Sequence, residues 1–255
     1  MENRKIIIDG LEINYTDIGN GEPVLILHGW GMGSFYWQPI SEKLSQVGFR
    51  AIAVDLPGSG ESSEPKEIWG NDEYVDFILN FISKIGIKEF HLIGHSFGGA
   101  LAVKIGANYP EKLKKIVLCD AAFIREERLN FRQKASRFIA GLAPEWAKRL
   151  PFYPSLEKII YRLAGVTDYY RASSTMREIF KKVVSEDMSN LATKIKNPCL
   201  IVWGENDLAT PLKDGIVLNN LVKNSELKVI LGVGHNPYRR KPEEFFEAVN
   251  SFLKK

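Results

Sequence analysis

The stretch G-H-S-F-G-G at residues 94–99 places one serine, Ser96, among glycines inside an otherwise apolar run. The residues before it have the composition of a β-strand, whereas the small residues after it suit a helix. A serine in G-x-S-x-G between a strand and a helix lies on a tight, strained turn, and the glycines two positions away on either side leave room for that turn. The stretch therefore predicts that the Ser96 hydroxyl is a nucleophile at the carboxyl edge of a sheet.

Strand-length apolar runs recur on both sides of this turn, and most are followed by a segment with helical spacing. They read P-V-L-I-L-H-G, F-R-A-I-A-V-D, E-F-H-L-I-G-H, K-K-I-V-L-C-D, P-C-L-I-V-W-G and E-L-K-V-I-L-G. Continuous apolarity is typical of strands buried on both faces, so these runs predict a parallel sheet covered by helices. Two earlier segments, separated by Asp9-Gly10, predict a β-hairpin. The chain is therefore expected to be an α/β protein with a mostly parallel, eight-stranded sheet.

One interval breaks this alternation. Residues 122–190 contain no convincing strand and have the spacing of several amphipathic helices, interrupted at Pro144, Pro151, Pro154 and Gly165. We therefore expect a core formed by residues 1–121 and 191–255, with residues 122–190 as a helical insertion.

Composition excludes several classes of protein. The chain has 255 residues, 45% of them hydrophobic and 25% charged, and a net charge of +3. This balance argues against a disordered chain and against a nucleic-acid binder, so small molecules are the expected partners. The N-terminal residues lack a signal-peptide core, and no apolar run approaches the ~18 to 20 residues that span a bilayer, so we expect a cytoplasmic protein. Cys119 and Cys199 lie in strand-like runs and are expected to be buried free thiols.

A serine nucleophile needs a general base. His235 follows the last predicted strand and precedes the terminal helix, which places it in a loop at the same sheet edge as Ser96. His91 begins a strand and should lie at the opposite edge, while His28 and His95 are expected to pack or hydrogen-bond locally. His235 is therefore the predicted base.

The base in turn needs a carboxylate to orient it. Asp207, in W-G-E-N-D-L-A-T-P, follows a buried strand and precedes a helix that Thr210 is expected to cap and Pro211 to start. Asp120, also at a strand end, is a competing acid, and Glu205 is a weaker one. Asp207 is preferred because its strand immediately precedes the one that leads to His235. The chain order serine, aspartate, histidine is the order expected for this architecture.

Acyl chemistry also needs hydrogen-bond donors for the oxyanion, and backbone N–H groups serve this role at little reorganisation cost. Phe97, directly after the nucleophile, is one predicted donor. The second is expected in the loop H-G-W-G-M-G-S after the third strand, where Trp30 can present its N–H while its indole lines the pocket.

Taken together, these motifs resemble those of α/β-hydrolases of the cap-bearing serine carboxylesterase group. The resemblance covers nearly the whole chain and is carried by H-G-W-G at 28–31, D-L-P-G-S-G-E-S at 55–62, G-H-S-F-G-G at 94–99, G-E-N-D at 204–207 and G-H at 234–235. It implies the α/β-hydrolase fold, a structural loop at residues 55–62, and a cap over the active site formed by residues 122–190. Serine at position 96 argues against the dehalogenase and epoxide hydrolase relatives, which attack through a carboxylate.

The resemblance implies hydrolysis of carboxylic esters with short to medium acyl chains, through a Ser96–His235–Asp207 triad and an acyl-enzyme, with no metal or organic cofactor. Fold and triad do not name a substrate. A carbon–carbon bond hydrolase, a thioesterase or a perhydrolase on the same site remains an alternative, as does a ligand receptor built on the hydrolase fold.

The charge and the apolar residues of the predicted insertion give information about the substrate. Residues 123–190 contain 13 lysines and arginines against 8 aspartates and glutamates. Such charge is ordinarily a solvated helix face, and the alternative is electrostatic steering of an acidic partner or an anionic acyl substrate. The H-G-W-G loop and a basic cap are also similar to the carrier-protein methyl ester esterases, so an acidic carrier protein is a possible partner. Apolar residues of the insertion are expected either to line an acyl pocket or to pack on the core: Phe138, Leu142, Trp146, Phe152 and Tyr153.

Overall fold

The computed structural model of the chain describes residues 3–124 and 172–255. They contain one eight-stranded sheet with the order β1-β2-β4-β3-β5-β6-β7-β8. Strands β3 to β8 run parallel, while β1 and β2 form an antiparallel hairpin that joins the sheet through β4. The predicted eight-stranded, mostly parallel sheet is thereby confirmed. The strands are Asn3–Ile8, Leu11–Ile18, Glu22–Leu27, Phe49–Val54, Phe90–His95, Leu113–Cys119, Cys199–Gly204 and Ser225–Ile230.

Helices cover both faces of this sheet. Within the described ranges, α1 to α8 are Gln38–Gln46, Asn71–Lys84, Phe97–Asn108, Ser174–Val183, Ser189–Ala192, Leu212–Leu221, Pro237–Arg240 and Pro242–Lys254. Short 3₁₀ turns lie at Ser34–Trp37 and Pro110–Lys112. None of the helices in these ranges has the length and hydropathy needed to cross a lipid bilayer.

The central strand β3 shows why the strand sequences are apolar throughout. Leu25 and Leu27 belong to the buried cluster formed with α2 and α3, whereas Val24 and Ile26 belong to the cluster formed with α1 and α8. Side chains of a strand alternate between faces, so residues 24–27 of β3 are each buried on one side or the other. Each such burial contributes about 1.5 to 3 kcal/mol. Cys119 and Cys199 are buried free thiols, as predicted.

The end of the insertion is attached to the core by an ion-pair cluster around one buried lysine. Lys104 on α3 is almost fully buried, and its Nζ contacts Asp72 Oδ1 at 2.8 Å and Glu186 Oε1 at 2.6 Å. Burial works to lower the pKa of Lys104, but the hydrogen bonds to these two carboxylates outweigh it and raise the pKa. Asn71 Nδ2 also donates to Glu186 Oε2, at 2.8 Å. The segment after α4 is thereby fixed against α2 and α3.

Helix α4 confirms the helical prediction for its part of the insertion. Ser173 caps it by accepting a hydrogen bond from the N–H of Met176, and its buried face consists of Met176, Ile179 and Val183. Residues 125–171 lie outside the described part of the chain. The division into a core and a cap therefore stays a prediction.

Candidate active site

Ser96 lies on the turn between β5 and α3, with backbone angles φ +52° and ψ −112°. A residue other than glycine at positive φ is strained and persists only when its surroundings hold it. The N–H of Ser96 donates to the carbonyl of Cys119, and its own carbonyl accepts from Ala100 and Ala122, each at 3.0 Å. Three backbone hydrogen bonds thus hold the strained turn and keep the hydroxyl at the carboxyl edge of the sheet.

The flanking glycines are required by contact with backbone atoms. A Cβ atom on Gly94 would overlap the carbonyl oxygen of Gly98, and a Cβ atom on Gly98 would overlap that of Leu27. The crowding expected from G-x-S-x-G is therefore present, and it arises partly from β3, which is remote in sequence.

Gly98→Ala is expected to destabilise the protein by about 2 to 3 kcal/mol, because a backbone carbonyl cannot move aside as a flexible side chain does. For a chain of this size that loss corresponds to a melting temperature lower by roughly 4 to 12 °C. The matched control is Gly234→Ala, whose Cβ would meet nothing closer than 3.4 Å. Equal melting temperatures for the two variants in a thermal scan would contradict the packing argument.

The structure brings the three predicted side chains together. His235, between β8 and α7, places Nε2 at 2.9 Å from Ser96 Oγ and Nδ1 at 2.7 Å from Asp207 Oδ2. An ionised carboxylate only accepts hydrogen bonds, so Nδ1 carries the proton and Nε2 is left free to accept the serine hydroxyl. This is the tautomer that a general base for Ser96 requires.

Asp207 is held by its own loop. Its Oδ1 accepts the N–H groups of Ala209 and Thr210 at 2.7 and 3.0 Å, and its Oδ2 accepts the Thr210 hydroxyl at 2.7 Å. Burial works to raise the pKa of Asp207, but its hydrogen bonds to His235 and Thr210 outweigh burial and lower the pKa. The carboxylate is therefore ionised at neutral pH.

The predicted helix cap at Thr210 is wrong. Helix α6 begins at Leu212 after Pro211, without a side-chain cap. The Thr210 hydroxyl bonds Asp207 instead, because the loop turns back on the carboxylate before the helix starts.

Trp30 and Phe97 approach the serine from two sides. Phe97 is the first residue of α3, and the loop that carries Trp30 passes so close that a Cβ atom on Gly29 would lie 3.2 Å from Ser96 Cβ. Among residues 3–124 and 172–255, no acceptor binds the backbone N–H of either Trp30 or Phe97. Both donors remain predictions for the oxyanion.

Comparison with known proteins agrees with this geometry. The sequence profile described as the alpha/beta hydrolase fold matches residues 22–152. The chain belongs to the α/β-hydrolase fold family. The predicted membership of the α/β-hydrolases and the predicted fold are thereby confirmed. The cap-bearing esterase group stays a prediction.

The hydrolase has curated relatives along its whole length. It is 27% identical to a 2-hydroxy-6-oxo-2,4-heptadienoate hydrolase of Pseudomonas putida over 275 residues, 98% of this chain and 95% of the relative. It is 27% identical to a 2-hydroxy-6-oxo-6-phenylhexa-2,4-dienoate hydrolase of Comamonas testosteroni over 268 residues, 95% of this chain and 91% of the relative. The structure of an esterase from Exiguobacterium antarcticum superposes with a TM-score of 0.76 and 25% identity, covering 97% of each chain. Hydrolase activity is thus supported, whereas the bond that is cleaved differs among these relatives.

The other three histidines of the hydrolase make hydrogen bonds of their own, but the prediction of a local partner is wrong for His95. His28 Nε2 accepts the N–H of Leu56 at 3.0 Å, and His91 contacts Glu22 at 3.1 Å. His95 Nε2 lies 2.7 Å from the carbonyl oxygen of His235, so it donates to the loop that carries the base. Burial lowers the pKa of His95 to about 3, so the ring stays neutral. The position of His95 directly before Ser96 in the sequence did not predict this long-range contact.

The hydrolase has an aromatic wall, formed by Trp30, Phe97 and Phe180, beside the candidate oxyanion donors. The Trp30 ring centroid lies 5.3 Å from that of Phe97 and 5.2 Å from that of Phe180 on α4. Helical periodicity placed Phe180 in a helix but could not show what it faces.

The five predicted pocket residues of the insertion, and most of its basic residues, lie outside the described part of the chain. The acyl pocket they form and the acidic carrier partner stay predictions.

Of the two alternative acids, only one is near the base. Glu205 accepts the N–H of Gly232 at 2.8 Å and makes no recorded contact with His235 among the described residues. Asp120 is fully buried, and its ligand-type oxygen lies within 4.8 Å of those of Asp207 and His235. Such a group is compatible with a metal ion in principle, but both ring nitrogens of His235 and both oxygens of Asp207 already have hydrogen-bond partners. The hydrogen bonds of Asp207 and His235 therefore explain why these three side chains lie together, without a metal ion.

Proposed function

We propose that this α/β-hydrolase is a serine esterase that cleaves carboxylic esters with short to medium acyl chains. The observation that carries the proposal is the unbroken contact from Ser96 Oγ through the His235 ring to Asp207, at 2.9 and 2.7 Å. A serine hydroxyl needs such a base to attack an ester carbonyl.

The reaction would proceed in two halves. As Ser96 Oγ bonds the carbonyl carbon, His235 Nε2 takes the hydroxyl proton, Asp207 stabilises the imidazolium, and the N–H groups of Trp30 and Phe97 hold the oxyanion. His235 then gives the proton to the departing alcohol, which leaves an acyl-serine. Water attacks this ester by the same route, and His235 returns a proton to Ser96.

The aromatic wall favours a substrate with an apolar acyl group. Trp30 and Phe97 would bind the oxyanion through their backbone, so their rings, with that of Phe180, lie beside the reacting carbonyl. Aromatic side chains of this kind bind apolar groups through burial of surface. A short or medium alkyl chain suits this wall better than a charged one.

A second candidate is hydrolysis of a carbon–carbon bond. The relatives from P. putida and C. testosteroni are named for 2-hydroxy-6-oxo-dienoate substrates. These substrates contain a ketone and no ester, so their hydrolysis breaks a carbon–carbon bond next to the carbonyl. The identity of 27% over 98% of this chain favours this reaction enough to test it beside the first.

A substrate panel with a nucleophile probe separates the candidates. We expect hydrolysis of p-nitrophenyl acetate and butyrate, and a fluorophosphonate adduct that peptide mapping locates on Ser96. Turnover of 2-hydroxy-6-oxo-2,4-heptadienoate with little ester hydrolysis would replace the first proposal with the second. An adduct at another residue, or none, would overturn both.

The esterase activity is expected to fall in acid. Burial works to lower the pKa of His235, but the hydrogen bond and charge of Asp207 outweigh it and raise the pKa above its ordinary value of 6.5. Only the neutral ring accepts the serine proton, so kcat/KM should drop about tenfold per pH unit below that pKa and level off above it. Rates on p-nitrophenyl butyrate, with melting temperatures measured at each pH, test this. A profile that stays flat well into the acid range in folded protein would contradict it.

A further inference from the structure

A buried carboxyl group that the proposed mechanism does not use lies behind the Asp207–His235 pair. Asp120 follows directly after β6, has no exposed surface, and adopts a positive φ of 44°. Its Oδ1 accepts the N–H of Gly204 at 2.9 Å, which fixes the side chain toward β7. Asp120 thus has a strained backbone, and its buried carboxyl group lies next to Asp207 and His235.

Asp120, Asp207 and His235 form one cluster, and Thr210 joins them. The ligand-type atoms of the first three lie within 4.8 Å of one another. The Thr210 hydroxyl lies 2.7 Å from Asp207 Oδ2, 3.2 Å from the carbonyl oxygen of Asp120 and 3.3 Å from His235 Nδ1. Two carboxyl groups this close in a buried site do not both ionise, so the pair holds one negative charge and one proton.

The proton belongs on Asp120. Asp207 accepts four hydrogen bonds, counting that of the His235 ring, and these favour its charged form. Asp120 accepts one N–H from Gly204 and a weak contact from the Cys119 thiol at 3.7 Å. Burial, and after it the charge of Asp207, raise the pKa of Asp120 well above its ordinary range. Among the described residues, the other titratable groups that face Asp120 are the protonated Cys119 thiol, the neutral His95 ring and the Tyr238 phenol.

We propose that Asp120 is a second positioning acid, which shares one negative charge with Asp207 and orients the His235 ring itself when the Asp207 carboxylate is removed. Burial and the charge of Asp207 together keep Asp120 protonated. Loss of that charge removes the repulsion, and the nearby His235 ring favours the carboxylate, so Asp120 releases its proton to water. After a small movement into the vacated space, its carboxylate lies close enough to His235 to accept a hydrogen bond from Nδ1–H. The inference rests on the proposed use of Ser96 and His235, but not on the ester as substrate.

The test compares Asp207→Ala, Asp120→Asn and the double variant. Alanine is chosen at 207 because an asparagine amide would donate to Nδ1 and select the wrong tautomer. Loss of the acid in a triad ordinarily costs about 10⁴-fold in rate. With Asp120 as the second acid, Asp207→Ala should lose only about 10²-fold, and the double variant should lose a further 10²-fold or more.

The rates are measured on p-nitrophenyl butyrate and, separately, as the rate of fluorophosphonate labelling of Ser96. Labelling does not depend on the natural substrate, so it tests Asp120 even if ester turnover fails. Equal labelling rates for Asp207→Ala and the double variant would overturn the inference. Asp120→Asn alone should cost less than about tenfold at neutral pH, since asparagine matches the neutral carboxyl in shape.

Two readouts separate this role from a merely structural one. In the unsubstituted protein, ionisation of Asp120 places a second negative charge near His235. Because the pKa of Asp120 is raised, kcat/KM should rise a second time on the alkaline side of neutral pH. Asp120→Asn should lack this second rise. The downfield proton resonance of a carboxylate-bound Nδ1–H, observed by NMR, should persist in Asp207→Ala. Its loss there would overturn the inference, even if Asp120→Asn failed to fold.

Discussion

Ser96→Ala is expected to lower kcat/KM for p-nitrophenyl butyrate by about 10⁶-fold, the loss found when a serine nucleophile is removed from an intact triad. The hydroxyl is the only group placed at 2.9 Å from His235 Nε2 among the described contacts of that ring nitrogen. Residual hydrolysis should reflect water attack aided by the oxyanion donors. Initial rates at high enzyme concentration, with substrate hydrolysis in buffer subtracted, measure the loss.

The stability of Ser96 variants provides the control. Alanine at this position keeps the strain of φ +52°, so the melting temperature should stay within about 2 °C of that of the unsubstituted protein. Ser96→Gly should instead be more stable by about 1 to 3 kcal/mol, because glycine adopts positive φ without a steric cost. Activity within about 100-fold of normal in either folded variant would exclude Ser96 as the nucleophile.

His235→Ala is expected to cost about as much as the loss of the serine, again roughly 10⁶-fold in kcat. Without the ring, Ser96 has no acceptor for its proton, and Asp207 loses the group that it orients. The two residues act as a unit, so the double variant Ser96→Ala, His235→Ala should be no slower than either single one.

His91→Gln is the matched control for His235→Ala. His91 is buried, whereas His235 is only partly so, and it lies in β5, where it contacts Glu22 rather than the site. Its replacement should leave kcat/KM within a few-fold of normal, since the catalytic contacts are untouched. A loss as large as that of His235→Ala would mean that structural damage, not loss of the base, explains the effect.

Much of the molecule follows from local sequence. The strands were predictable because burial on both faces demands unbroken apolar runs, as in β3. The hairpin was predictable because Asp9 and Gly10 suit a turn with positive φ, which both adopt, at 49° and 80°. Ser96 and His235 were recognisable because each follows a strand at the edge where parallel strands all end.

Contacts between separate loops were not predictable in this way. The choice between Asp207 and Asp120 turns on a few ångströms, and the role of Thr210 depends on how one loop folds back on its own carboxylate. The bond from His95 to the His235 carbonyl joins residues 140 positions apart. The contact of Phe180 with Trp30 joins α4 to the loop after β3.

Residue order and hydrophobic spacing were therefore enough to establish the sheet, the strained turn at Ser96 and the candidate triad, because each depends on short-range rules of backbone and burial. Only the tertiary structure showed how Asp207 is held against His235, which aromatic rings surround the serine, and that a second carboxyl group lies behind the first. Side-chain distances across loops depend on how whole elements pack, and small displacements there decide hydrogen bonds and charge.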